Sequence, residues 1–599
     1  MRLRFGRIFM IGLGAGALAA LASQAPARSP DDAGETHSLL GNYLAGRFAK
    51  GAQDTSSAAG FYSRALTRDP QNEVLLEQAF QMEVMNGNWQ AAVPLAEQLA
   101  ASQPNHRMSR FLLGISAFKA GNYAKAEEQF KAASENPIGE LTSAIARGWT
   151  RLAAGDGAGA LAAVDLPKQP EWAQFYLRYH RALMADTLGK KDEAGAAYER
   201  MFRQDSRTLR TALAYARHKA HYGNFKEARK LLNDQFEKSQ GEPHPLAKDL
   251  RDQIDKKVKL PLLLDSAPEG LAEVFYGLGE ALTGEGGVSL GTVYLRLALF
   301  AKPDHTFALA ALASAQEQAQ RYEDAIATYD QIAKGSPLQS AIDIRKAFNL
   351  NSLEKADEAQ ILLDDLAKRE PRDVRPLEAL GNIMRARKRY DEAVRYFTRA
   401  IDIIGKPDDR HWTFYYARGT AYERMKNWPA AESDLKKALA LAPDQALVLN
   451  YLGYSWIDQG KNMKEGMRLI EKAVALKPDD GYIVDSLGWA HYKQGNYKEA
   501  VRYLERAVEI RPEDPTLNDH LGDAFWQIGR FQEAKFQWSQ ALTLNPEPED
   551  LDKIKLKLAN GLPTKAEAKK TAPRAKQAQR ADKNKRTESK VEPEKPFFE

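Results

Sequence analysis

The hydrophobic pattern of the chain returns every 34 residues. From Asp485 to Ala500 the sequence reads DSLGWAHYKQGNYKEA, and one period later, from Asp519 to Ala534, it reads DHLGDAFWQIGRFQEA. Apolar and small side chains recur at three- and four-residue spacing, so each unit predicts two amphipathic helices. Leu487, Tyr497 and Leu504 are the bulky positions of such a unit, and Gly488, Ala500 and Ala507 the small ones. Small residues let two antiparallel helices approach, Gly495-Asn496 reverses the chain between them, and Pro512, which cannot continue a helix, closes the unit. A single helical pair has no closed core. A fixed period of this length therefore predicts a stack in which neighbouring units bury each other's faces.

The frame runs backwards through unit starts near Ala446, Trp412, Val374, Ser340, Thr306 and Ala272, interrupted only around Pro407–His411 and near Asn462. A second block over 39–242 has starts near Glu73, Arg107, Leu141, Phe175 and Leu209, with 141–174 degenerate. Residues 243–271 contain several prolines and break the frame, which predicts an irregular insert or hinge. The expected fold is all-α: a solenoid of about fourteen helical hairpins, six in 39–242 and eight in 272–548, then a capping helix over 549–562.

Leu487, Gly488, Tyr497, Ala500, Leu504, Ala507 and Pro512, repeated from unit to unit, resemble the tetratricopeptide-repeat family over about five hundred residues. The resemblance implies a right-handed superhelix whose first helices line a concave groove. The fifth, ninth and twelfth positions of a first helix share one face, and the resemblance turns that face into the groove. It carries Tyr416, Thr420 and Glu423; Asn450, Tyr454 and Ile457; Asp485, Trp489 and Tyr492; and Asp519, Asp523 and Trp526. Aromatic rings edged by Asn and Asp suit a protein or peptide partner. Trp489 lies off the stripe of Leu487, Gly488 and His491, so it either faces the groove or packs on a neighbouring first helix. The family's carboxylate clamp needs lysine at these positions, where this chain has acids, so that mode is not expected.

A finer resemblance begins at NYLGYSWIDQGKN, from Asn450, and continues through KPDDGYIVDSLGWAHYKQGNYKEAVRYLERA. These repeats are similar to those of a Gram-negative envelope protein that binds a carboxyl-terminal processing protease and presents cell-wall hydrolases to it. The resemblance implies an adaptor role with that protease as partner. The family member is a lipoprotein, whereas this chain has no cysteine to carry a lipid.

The chain ends sharpen this picture. Arg2, Arg4 and Arg7 precede an apolar run from Ile8 to Ala22 and then Ala25-Pro26-Ala27, the order of a secretory signal cut after Ala27. The expected location is exported and periplasmic, with peripheral association to the envelope membrane. N-terminal sequencing of protein recovered from the envelope should begin at Arg28; an intact Met1 in a cytoplasmic fraction would contradict export. Without cysteine there is no disulfide, thiol nucleophile or zinc-thiolate site. Removing three signal arginines from a formal charge of +5 leaves a nearly neutral chain, which argues against nucleic-acid binding. Residues 563–599 lack the apolar side chains of a core and carry ten Lys/Arg against three Asp/Glu between Lys565 and Lys590. They predict a disordered basic tail, either simply solvated or contacting an anionic envelope polymer or lipid.

Candidate chemistry adds little. No HExxH, GxSxG, P-loop or kinase set occurs. His218 and His221 share a helix face but lack a fixed third ligand, and are expected to be partly exposed. Asp364-Asp365 and Asp479-Asp480 read as caps and solvated charges. No enzymatic activity, metal or cofactor is expected. Two function classes remain: a non-catalytic envelope adaptor, or a structural scaffold for an export or wall-building machine.

Overall fold

The protein is described from a computed structural model covering residues 38–166, 168–204, 208–238 and 244–562. The expected signal peptide and basic tail lie outside the described residues. Within them the chain forms thirty α-helices and no strand. Twenty-six of them pair in sequence as thirteen antiparallel hairpins, from Leu39–Gly51 with Thr55–Arg68 to Pro515–Gln527 with Phe531–Thr543. The all-α solenoid expected from the 34-residue period is the observed fold.

The repeat positions act as the pattern demands. Gly488 and Leu504 meet so closely that a Cβ on the glycine would lie 2.6 Å from Leu504 Cγ. Ala500, Leu504 and Ala507 are fully buried. Helix starts are capped locally: Asp514 accepts from the Thr516 and Leu517 amides at 2.8 and 3.1 Å, ahead of Pro515. Asp480 accepts from the Tyr482 amide at 3.2 Å, the capping role expected for that carboxylate pair.

Two segments differ from the sequence reading. Helices Pro137–Ala153 and Glu171–Thr187 start four residues ahead of the frame positions Leu141 and Phe175 and run for 17 residues each. Between them lies a helix of only 7 residues, Gly157–Ala163, whose GAGALAA sequence offers little apolar surface. Asn136 and Pro137 set the earlier start, the side chain of Asn136 accepting from the Gly139 amide at 2.8 Å. The segment expected to be irregular, 243–271, contains helix Pro245–Asp255, which buries Ala247, Leu250 and Ile254. Pro245 sits in its first turn, where proline starts a helix instead of breaking one.

The described residues fall into two compact units, 38–383 and 384–562. In the first, hairpin Ala267–Gly284 with Val288–Ala301 folds back onto the first helices of earlier hairpins. It contacts Glu73–Asn86, Arg107–Lys119, Pro137–Ala153 and Glu171–Thr187. Four successive first helices can touch one hairpin only by curving around it, so this hairpin fills their concave face. Phe111 is fully buried, with ring centroids 5.4 Å from Phe275 and 6.1 Å from Tyr294 of the inserted hairpin.

Candidate functional site

The inner face of the 38–383 unit is closed by a buried ion network as well as by apolar packing. Glu273, on the inserted hairpin, is 1% exposed. It accepts from Tyr179 Oη at 2.8 Å, from Arg210 Nε and Nη2 at 2.8 and 2.6 Å, and lies 3.2 Å from His305 Nε2. Burial would raise its pKa, but Arg210 and then His305 hold the carboxyl well below the usual range. Nearby, Trp149 Nε1 donates to His180 Nδ1 at 3.0 Å, and burial pushes that imidazole down to about 4. At the far end of the hairpin, Arg296 Nε donates to the Met85 carbonyl at 2.8 Å and Phe300 lies 4.6 Å from Trp89. This face is occupied by the chain itself.

The candidate residues lie in the other unit, 384–562, on helices Trp412–Arg424, Ala446–Asp458, Gly481–Lys493 and Pro515–Gln527. The structure brings their middle members into one row. Trp489 stacks on Tyr492 at 4.6 Å and on His520 of the next first helix at 3.9 Å, with interplanar angles of 7° and 15°. His520 Nδ1 donates to Asp485 at 3.0 Å. The tryptophan is partly buried, packing on His520 of the neighbouring first helix while keeping some exposure. Tyr416 lies 5.9 Å from Tyr451, whose hydroxyl donates to Glu423 at 3.1 Å. Burial raises the Tyr454 phenol, and Asp458, Asp485 and Glu423 push it the same way. Asn450 Oδ1 is buried without a hydrogen-bond partner among the described residues.

Several expected positions are not open to a partner. Thr420 and Ile457 are buried between repeats. In the last unit Asp519, Asp523 and Trp526 are covered by the capping helix Pro548–Asn560 and the residues after it. Lys557 Nζ lies 2.8 Å from Asp519 Oδ2 and 2.9 Å from Asp523 Oδ2, while Trp538 Nε1 donates to Asp523 Oδ1 at 2.9 Å. Burial would lower the Lys557 ammonium, but the two carboxylates outweigh it and raise its pKa. Gly561 rests on Trp526, where any Cβ would collide with the indole.

Family models described as tetratricopeptide repeat match residues 83–138, 308–339, 373–444, 416–481 and 486–547. The chain carries tetratricopeptide repeats. Among solved structures, it is similar to the Cut9–Hcn1 hetero-tetramer of APC/C at 13% identity, covering 83% of this chain and 98% of that one with a TM-score of 0.36. It is also similar to yeast Tom70, at 14% identity, 87% and 95% coverage and a TM-score of 0.31. A third likeness is a tetratricopeptide repeat protein of Parabacteroides merdae, at 16% identity, 48% and 98% coverage and a TM-score of 0.33. Comparison with curated proteins gives no match.

Sequence reasoning missed the residues that complete or close the faces of these tetratricopeptide repeats. His520 sits one position after Asp519 and so outside the i, i+4, i+7 face. Lys557 belongs to the capping helix, which has no counterpart in the repeat. Of the histidine pair, His221 is partly exposed as expected and His218 is not. His218 is buried against Asp186 at 2.7 Å, and His221 Nδ1 donates to the Leu260 carbonyl at 2.7 Å, so neither is a free helix histidine. Among the described residues no group of three His, Cys, Asp or Glu is arranged to hold a metal ion.

Two outcomes follow from the Trp489 stack. Trp489→Ala should cost about 1–3 kcal/mol in thermal or urea unfolding, since each stacked aromatic pair is worth about 0.5–1.5 kcal/mol; no loss would place the ring wholly in solvent. Burial pushes His520 down, but Asp485, Asp519 and Asp523 together outweigh it and raise its pKa. A histidine with a raised folded pKa stabilises fully below its unfolded value, about 6.5, and that stability is lost as pH rises through the folded value. Tryptophan fluorescence should therefore change on alkaline titration above about pH 6.5, the unperturbed value, and His520→Gln should flatten the change.

Proposed function

We propose that the protein is a non-catalytic scaffold of the cell envelope that holds a protein or peptide partner on the first-helix face of its C-terminal unit. One observation carries this reading: Tyr454, Trp489 and Tyr492, on neighbouring first helices beside Asn450, all keep partial exposure among the described residues. In the 38–383 unit, by contrast, first helices Glu73–Asn86, Arg107–Lys119, Pro137–Ala153 and Glu171–Thr187 are packed on by residues 267–301. Aromatic rings that retain exposure beside polar groups are the usual anchors of a protein interface. The finer assignment, an adaptor that gathers a carboxyl-terminal processing protease with cell-wall hydrolases, is supported by the sequence likeness of the repeats from Asn450 onward. Export to the periplasm is supported by the order of basic, apolar and small residues in 1–27.

The test is recovery of partners from envelope extract by the mature chain, identified by mass spectrometry and repeated with Tyr454→Ala. The adaptor reading expects a protease together with wall hydrolases, and their loss in the variant. Recovery of transport or wall-synthesis components would favour the assembly-scaffold alternative, and undiminished recovery by the variant would remove the face from the account.

A further inference from the structure

The C-terminal first-helix face is acidic, and it ends where the chain's basic tail begins. Helices Ala446–Asp458, Gly481–Lys493 and Pro515–Gln527 carry Asp458, Asp485, Asp519 and Asp523 against Lys493 and no arginine; Asp485 and Asp523 are buried, the first paired with His520, and Asp458 is the well-exposed carboxylate. The chain's own C-terminal end already supplies one cation to this face, the Lys557 ammonium seated between Asp519 and Asp523. Gly561 then lies on Trp526, and Leu562 packs into the same apolar cluster, so the chain leaves its last described residue at the edge of the face.

Beyond Leu562 come 37 residues, basic between Lys565 and Lys590. An extended chain spans about 3.3 Å per residue, so the tail reaches roughly 100 Å or more. Packed helices lie about 8–10 Å apart. The three acidic helices are thus within reach of the tail's first ten or so residues.

We propose that the basic tail, residues 563–599, docks back along this face, continuing from Lys557 over Tyr492 and Trp489 towards Tyr454 and Asp458. The inference rests on reading the face as a partner surface, and adds that the chain carries its own competitor for it. The chemistry suits lysine and arginine. Lys493 Nζ already sits 5.4 Å above the Trp489 ring, showing that the indole accepts a cation. The Asp458–Lys493 pair is half-exposed, with N–O 3.1 Å, and can exchange its cation. A partner must then displace the tail, so affinity for the full chain is lower than for the face alone.

The absence of cysteine makes the test clean. The full mature chain carrying Ala578→Cys takes one photo-crosslinker at the tail, and crosslinked peptides are mapped by mass spectrometry. The expected result is intramolecular crosslinks to helices Ala446–Asp458 and Gly481–Lys493. They should disappear between 0.01 and 1 M salt, as the screening length falls from about 30 Å to about 3 Å. The added tail changes Lys583→Glu, Lys585→Glu and Arg586→Glu should abolish them while leaving the thermal transition in place. Crosslinks scattered over the second helices, confined to pairs of molecules, or transferred to added anionic vesicles would overturn the proposal; the last would make the tail an external tether. The partner reading is scored separately by the Tyr454→Ala recovery. Loss of partner in that variant without tail crosslinks removes only this inference, and tail crosslinks with undiminished partner recovery remove only that reading.

Discussion

Replacing Glu273 with alanine should destabilise the 38–383 unit by about 3–5 kcal/mol, the cost of leaving a buried charge without its partner. Arg210 would keep its guanidinium in an interior that no longer supplies a carboxylate, and Tyr179 and His305 would lose the same acceptor. The readout is urea or thermal unfolding, with the loss confined to this unit. Acid should act on the same place. Glu273 has a depressed folded pKa, so its stabilisation is present above the unfolded carboxylate value, near 4.3, and lost as pH falls through the folded value. His180 is also depressed, to about 4. The unfolded chain therefore binds its proton first, and stability falls as pH drops from about 6.5 towards 4, by roughly 3 kcal/mol at about 1.4 kcal/mol per pK unit. A melting temperature of the Glu273→Ala chain equal to wild type would show that the inserted hairpin does not depend on this network.

Trp538→Ala should be the most damaging single change in the 384–562 unit, at about 3–5 kcal/mol for removal of a fully buried tryptophan. Its ring fills the space beside Gly522, where a Cβ would come within 2.6 Å of it, and its Nε1 donates to Asp523. The contrast with Trp489→Ala, at about 1–3 kcal/mol from two stacks, separates core from face within one helical stack. If the two substitutions cost the same, the distinction between a buried ring and a partly exposed one is not energetic, and Trp489 is a core residue.

The hairpins were legible in the sequence because each is held by local chemistry. Gly488 against Leu504, Asp514 ahead of Pro515 and the reversal at Gly495 all act within one period, and the period repeats them. Trp538 could be placed in the core for the same reason, since it occupies a repeated apolar position. The closure of the N-terminal face was not legible. Phe111, Phe275 and Tyr294 read simply as apolar helix positions, and their meeting depends on the curvature of four stacked hairpins. Glu273 and Arg210 are 63 positions apart, and neither stands out from ordinary helix charges until the hairpin folds back. At the candidate face, periodicity found Asp485, Trp489 and Tyr492 but treated each first helix alone. It therefore missed His520, which comes from the next helix, and Lys557, which comes from outside the frame. The 243–271 segment misled through its prolines, which mark helix starts at Pro245 and Pro268 as readily as breaks.

On the proposed reading, helices Ala446–Asp458 and Gly481–Lys493 receive a partner, whereas first helices from Glu73–Asn86 to Glu171–Thr187 are packed on by residues 267–301. Amide hydrogen exchange of the full mature chain, measured with and without the protein recovered from envelope extract, tests it most directly. Added protection is expected on helices Ala446–Asp458 and Gly481–Lys493, and none on Arg107–Lys119 or Pro137–Ala153, on which residues 267–301 already pack. Partner-dependent protection on Arg107–Lys119 and Pro137–Ala153, with Ala446–Asp458 and Gly481–Lys493 unchanged, would contradict it.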